Sequence, residues 1–346
     1  MALPFSRLFV YGFPGKYGGA STELHHQILL WRAMGLEVHL IPSFSDYQQE
    51  PLYPSLIELG VIIHTRDEWD AISPGDPVLG FCNSEFLDNL EVIHQRTHRT
   101  VFINCMTWLF EKEQQRMAEG FIGALLYQNE AVRQKQMPVL RALNPDAPVG
   151  FFTFVPYFDD RDFPFVEKRS EEYFGCGRIS RQDADKFAAN TLHIYDYFVA
   201  PVMKRGFFMG FDERSEQKIG RPYPWITTFC DNSVFSQQDL YRLSKIILQP
   251  TDTTENWPRI GFEAMASGSV LIVDDRGGWR QMIEHGKTGW LCRHERDFIY
   301  YASKMAYEPE LRQEIAHNAR LRGQELGGFE RSKESWTEIL HELAKL

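Results

Sequence analysis

Short apolar runs alternate with amphipathic stretches from the start of the chain. "RLFVYGF" is a compact apolar run, followed by the glycine-rich "PGKYGGAST". In "TELHHQILLWRAM", Leu24, Ile28 and Trp31 then recur at helical spacing. Gly35 stands where a helix-terminating glycine belongs, and "LEVHLI" alternates as a second strand should. Further strands are predicted at "GVIIH", "PVLGFC", "TVFIN" and "GALLYQ". Strands alternating with helices in this way imply a parallel sheet covered on both faces.

The texture changes near residue 144. "NPDAPVGFFTFVPYFDDRDFPFVEKRSEE", rich in Pro, Asp and Phe, reads as the end of the first sheet plus a linker. A second series follows, with strands at "EYFGCGRIS", "WITTFC", "KIILQP" and "SVLIVDD" and helices at "SQQDLYRLS", "PRIGFEAMAS" and "WRQMIEHG". Ser236 and Asp239 form a capping pair for the first of these helices. In the tail, Trp336, Ile339, Leu340 and Leu343 fall on one helical stripe. The expected organisation is α/β: two Rossmann-like domains, 1–160 and 161–328, facing across a cleft. A final helix, 329–346, packs back toward the first domain. Ligands of such sheets sit at the carboxyl ends of the strands.

Composition narrows the classes. A length of 346 residues suits two ordinary domains, and 43% hydrophobic with 24% charged residues suits a globular chain. No apolar run reaches the roughly 18 residues that span a bilayer. The apolar start lacks the basic flank of a signal peptide and is expected to be a strand. A net charge of −10 argues against general nucleic-acid binding, so an anionic ligand needs a local basic pocket. Cys82, Cys105, Cys176, Cys230 and Cys292 are isolated and odd in number, the pattern of reduced thiols in a cytosol rather than a zinc ribbon. A small surface patch would still be compatible with peripheral attachment to a membrane.

Three segments carry candidate chemistry. The loop with Gly12, Gly15, Gly18 and Gly19 lies between strand and helix, where main-chain N–H groups can hold a phosphate. "GFPGKYGG" is neither GxGxxG nor a P-loop, since Val10 and Tyr17 occupy required positions, which removes the main support for a nucleotide cofactor. "GRISRQDADK" sets Arg178, Arg181 and Lys186 directly after a strand, chemistry suited to phosphate oxygens. "TDTTENWPRIGFEAMASG" places Glu255 in a loop and Glu263 on a helix whose first turn is fixed by Pro258 and whose end is Gly268. Two carboxylates so placed can accept from different hydroxyls of one ligand, as sugar and ribose readers do.

The Glu-x7-Glu pair, the "EAMASG" helix, Gly277-Gly278, "GKTG" at 286–289, "GRIS" at 177–180 and Gly18-Gly19 together resemble the retaining GT-B glycosyltransferases of family 4 type. The match is most specific in the C-terminal half. The resemblance implies that Arg178 and Lys186 neutralise the diphosphate of a nucleotide-sugar donor, with Arg181 competing with Lys186 for its role. It further implies that Glu263 reads the ribose, that Glu255 reads the transferred sugar, and that Asn256, Trp257, Arg259 and Ile260 line the donor. The amides of Gly18 and Gly19 would reach the phosphate. The expected activity is transfer of a hexose-type sugar to an acceptor hydroxyl, without metal or other cofactor, in the cytoplasm. A glycan, a lipid-linked molecule or a small molecule would be the acceptor. The rivals are an epimerase of the same shape and a non-catalytic partner subunit.

Three departures bear on donor identity. Pro258 removes an N–H where the family commonly has glycine, Gln281 replaces a usual glutamate, and the lysine after "GRIS" comes late. Asp274 and Asp275 end a strand and read as structural. In the first domain, Asn104, Thr107 and Trp108 are the acceptor-side candidates. His25 and His26 open the helix after the glycine pair, on the surface or toward the phosphates.

Overall fold

The computed structural model describes residues 2–15 and 18–346, so Lys16 and Tyr17 of the glycine-rich loop lie outside the described residues. The chain forms two compact units, 1–158 with 327–346, and 159–326.

The first unit is built on seven parallel strands: β1 (Arg7–Tyr11), β2 (Glu37–Ile41), β3 (Ile62–Ile63), β4 (Val78–Phe81), β5 (Thr100–Asn104), β6 (Ala124–Tyr127) and β7 (Gly150–Thr153). Their order is β3-β2-β1-β4-β5-β6-β7. Both faces of this sheet are buried, so its strands read as continuous apolar runs. Leu8 and Val10 of β1 enter one core with Val101 and Ile103 of β5. Phe9 and Tyr11 enter the other with Phe102. The helix Phe329–Leu343 closes the first face. Its Trp336 meets Trp31 edge-on at 4.9 Å and donates its indole N–H to Gln27 Oε1 at 2.6 Å.

The second unit has six parallel strands: β8 (Tyr173–Ile179), β9 (Met203–Met209), β10 (Ile226–Phe229), β11 (Ile246–Gln249), β12 (Val270–Asp274) and β13 (Trp290–Cys292), in the order β10-β9-β8-β11-β12-β13. Each sheet therefore reverses direction of travel once, between β1 and β4 and between β8 and β11, the place where doubly wound sheets open for a ligand.

Several expectations are corrected. The strand β9 is not predicted from the sequence because it opens on Met203, Lys204 and Arg205, a poor strand signal. Lys204 instead caps the helix Thr191–Tyr197, its ammonium donating to the carbonyls of Tyr195, Asp196 and Phe198 at 2.7, 2.8 and 3.0 Å. β13 is likewise unanticipated. "WRQMIEHG" yields only the short helix Trp279–Met282, because the chain turns at Ile283. Pro258 is the extended residue before the helix Arg259–Ser267, not its first helical residue. Pro138 is carried inside the helix Glu130–Leu143. Among the described residues no helix is long and apolar enough to cross a membrane.

Candidate functional site

The site is clearest in the second unit, where β8 and β11 separate. Their ladder holds only at Ile246–Cys176 and Ile247–Gly177. Beyond it, side chains bridge the gap. Gln249 accepts from the Ile179 N–H at 3.2 Å and donates to its carbonyl at 2.9 Å. The Tyr195 hydroxyl lies 2.8 Å from the Leu248 carbonyl and 3.2 Å from that of Gly177. These contacts satisfy main-chain groups that the diverging strands no longer pair.

The basic segment after β8 is split three ways. Arg178 is fully buried, not presented on a turn. Its guanidinium stacks on the Phe187 ring at 3.3 Å, donates to Ser180 Oγ at 3.0 Å, and also donates to the Lys186 carbonyl. Burial pushes it down to about 9, against the opposing pull of Tyr195, Glu255 and Asp274, so it stays cationic at neutral pH. With none of its surface exposed, its side chain offers no open face to a ligand in this arrangement. Arg181 is exposed and paired with Asp183 at 3.0 Å. Lys186 reaches the other motif: its Nζ lies 2.7 Å from Glu255 Oε1, with the two side chains 19% and 20% exposed. A ligand can therefore reach both.

Glu255 owes its position to the glycine pair. The Gly278 N–H donates to the Glu255 carbonyl at 2.8 Å. A Cβ at Gly278 would fall 1.9 Å from the Asn256 carbonyl oxygen, and one at Gly277, whose φ is +55°, would fall 2.3 Å from that of Glu255. Only glycines let the two loops close on each other.

Glu263, on the helix Arg259–Ser267 that follows this loop, is buried and accepts a 2.8 Å hydrogen bond from the Tyr241 hydroxyl. Burial raises its carboxyl, opposed by that bond and by Arg259. Asn256 and Arg259 are buried beside it in sequence, and Trp257 packs toward Phe262 at 6.2 Å. Ile260 is half-buried on the first turn of the same helix.

Sequence reasoning alone does not find Gln249, Tyr195, Tyr241 or Thr251. Gln249 has one signal, a polar residue closing an apolar strand before a proline. Asp274 accepts from the Thr251 N–H at 3.0 Å, and burial raises it to about 6. Asp275 is held low by hydrogen bonds from Arg280 and Arg293.

The remaining candidates belong to the first unit. Gly18, with φ +98°, precedes the helix that starts at Gly19, and both carbonyls accept from the Thr22 hydroxyl. His26 stacks on Phe158 at 5.2 Å, which is a packing role. Asn104 is fully buried and organises the following loop: it accepts from the Met106 N–H and donates to the Trp108 carbonyl and to Glu113 Oε2 at 2.9 Å. Trp108 itself is 55% exposed at the carboxyl end of β5, with Thr107 half-buried beside it.

Comparison with known proteins places these features. Residues 233–322, all within the second unit, match the family model "Glycosyl transferases group 1". Spore coat protein SA of Bacillus subtilis (strain 168) is 27% identical over 99 residues, 28% of this chain and 26% of that protein. The chain thus matches about a quarter of that relative's length. Among solved structures, Anabaena Alr3699/HepE in complex with UDP and glucose superposes with a TM-score of 0.72 at 13% identity, over 97% of this chain and 100% of that one. A glycosyltransferase from Rickettsia africae ESF-5 gives 0.71 at 12% identity, over 99% and 100%. WaaG, a glycosyltransferase involved in lipopolysaccharide biosynthesis, gives 0.60 at 13% identity, over 96% and 99%. The fold is GT-B, two Rossmann-like units in tandem, and a segment of the second unit matches the glycosyl transferases group 1 model.

Proposed function

We propose that this protein is a glycosyltransferase that binds a nucleotide-sugar donor on its second unit and moves a hexose-type sugar to an acceptor hydroxyl with retention of configuration. The observation that carries this reading is the Lys186–Glu255 pair at the point where β8 and β11 separate, with Glu263 buried on the helix that follows Glu255 in the chain. When a donor enters, Lys186 exchanges its carboxylate partner for the diphosphate. That frees Glu255 to accept from a sugar hydroxyl, while Glu263 accepts from the ribose. The bond from the anomeric carbon to the diphosphate breaks as the bond to the acceptor oxygen forms. The leaving phosphate takes the acceptor proton. Charge that develops on the diphosphate is met by Lys186, by buried Arg178 behind it, and by the start of the helix Arg259–Ser267, so no metal is assigned a role. Trp108, exposed in the first unit, offers an aromatic face to the acceptor.

The fold shared with HepE, whose structure holds UDP and glucose, makes UDP-glucose the first donor to try. The test is release of nucleoside diphosphate from UDP-, GDP-, ADP- and dTDP-hexoses in EDTA, with the product anomer read by NMR. Turnover that persists in EDTA, retains configuration and falls in Lys186→Ala supports the reading. Absence of turnover and of slow donor hydrolysis with all four contradicts it.

A further inference from the structure

A second chemical feature lies in the first unit, at the carboxyl ends of β4 and β5, and does not depend on the transfer reading. Cys82 follows β4 with φ +47°, a left-handed conformation that residues other than glycine seldom adopt. Its N–H continues the parallel ladder, donating to the Ile103 carbonyl at 2.9 Å. In a regular parallel ladder the next bond would run from the Cys105 N–H to the Cys82 carbonyl. Here that N–H donates instead to Cys82 Sγ, at 2.9 Å. The backbone twist at Cys82 has put a thiol sulfur where a carbonyl oxygen belongs, directly against the second cysteine.

The register gives the backbone separation. Phe81 pairs with Ile103, so Cys82 lies opposite Asn104 and Cys105 is one step further along. Adjacent strands about 4.8 Å apart and a rise of about 3.3 Å per residue put the two Cα atoms about 6 Å apart. Disulfides most often span Cα separations of about 5.5–6 Å. Both side chains are half-buried, so a small reagent can reach them. Cys176 and Cys292 differ: both are buried, and burial pushes their thiols up, which makes them poor nucleophiles.

We propose that Cys82 and Cys105 form a dithiol site that closes to an intramolecular disulfide by exchange with a low-molecular-weight disulfide such as glutathione disulfide. One cysteine thiolate attacks a sulfur of glutathione disulfide, forming a mixed disulfide and expelling one glutathione thiolate. The other cysteine then attacks the protein-side sulfur, forming the Cys82–Cys105 bond and expelling the second glutathione. Two protons leave the protein thiols and end on the two glutathiones, and two electrons pass to the oxidant. Closure ties Cys105, the first residue of the loop that carries Trp108, to the end of β4.

The test uses the native full-length chain, incubated with excess glutathione disulfide, quenched with N-ethylmaleimide and digested without reduction. Exposed Cys230 reports that exchange has occurred. The expected result is a peptide pair joined through Cys82 and Cys105, lost on treatment with dithiothreitol. In Cys105→Ser, Cys82 should instead retain glutathione. Recovery of Cys82 and Cys105 as separate maleimide or glutathione adducts in the wild type, once Cys230 has exchanged, overturns the proposal.

Discussion

Lys186 and Glu255 lie sixty-nine residues apart in the chain, yet their side chains meet at 2.7 Å. One follows β8 and the other follows β11, so the contact exists only because these strands are neighbours at the reversal of the sheet. An ion pair at this level of exposure contributes at most about 1 kcal/mol to stability. Its chemistry is more consequential, since it sets a cation and a carboxylate side by side where a ligand can part them. Lys186→Ala is expected to lower kcat/KM for sugar transfer by about 10²–10³-fold, the scale for losing one donor to a developing negative charge. The melting temperature should stay near that of wild type. Steady-state kinetics beside a thermal melt separates the two effects.

Gly278 supplies a sharper test of how the Glu255 loop is held. Its φ is −63°, so alanine suits the backbone, and what stands in the way is the Asn256 main chain, with Pro258 Cδ at 3.3 Å beside it. Gly278→Ala should cost about 1–3 kcal/mol, the range for overpacking, and should weaken nucleotide binding. Urea unfolding together with calorimetric titration of the nucleotide would show both losses. A variant of normal affinity would mean that Glu255 does not depend on the glycine turn.

Glu113 makes stability depend on pH. It is fully buried, accepts from Asn104 and from the Phe110 N–H at 3.1 Å, and its Oε1 has no hydrogen-bond partner among the described residues. Burial raises its pKa to about 7, against hydrogen bonds that pull the other way. A carboxyl raised in the fold is ionised more readily when unfolded. Its contribution to stability is full below about 4.5 and declines as pH rises through 7. Glu113→Gln keeps the shape and both acceptor contacts without the charge. The stability of wild type relative to this variant should fall by about 3 kcal/mol between pH 4 and pH 8, measured by urea unfolding. A difference that is flat with pH would refute this.

Trp336 anchors the last helix to the first unit through its contact with Trp31 and its bond to Gln27. Trp336→Ala should destabilise by about 3–5 kcal/mol, the range for emptying a buried tryptophan site. Thermal unfolding of the first unit's transition would register it.

The two sheets were legible because parallel strands buried on both faces leave long apolar runs, as in "RLFVY" and "VLIVD". The loop and helix positions of Glu255 and Glu263 were legible because a proline between them is strongly disfavoured in a helix interior, although Pro138 shows that the rule has exceptions. Arg178 was misread because a polar residue at a strand's end looks exposed, whereas all of β8 after Tyr173 is buried and Phe187, nine residues on, supplies the stacking face. Lys204 hid β9 because its helix-capping partners lie in a different element. Tyr241 could not be found from spacing, since its contact with Glu263 comes from packing between helices. Asn104 proved to be the buried organiser of the Trp108 loop, a role that depends on Glu113 and Gln136 arriving from the next two helices.

The measurement that tests the donor site most directly is a thermal-shift titration with UDP, GDP, ADP and dTDP in EDTA, on wild type and on Glu263→Ala. A ligand present at 100 times its dissociation constant adds about 2.7 kcal/mol to the folded state, well within resolution. The account predicts that one nucleotide stabilises the wild type by an amount of this order without metal, and stabilises Glu263→Ala far less. Equal shifts in both proteins, or none with any nucleotide at millimolar concentration, would contradict a donor site built on Lys186, Glu255 and Glu263.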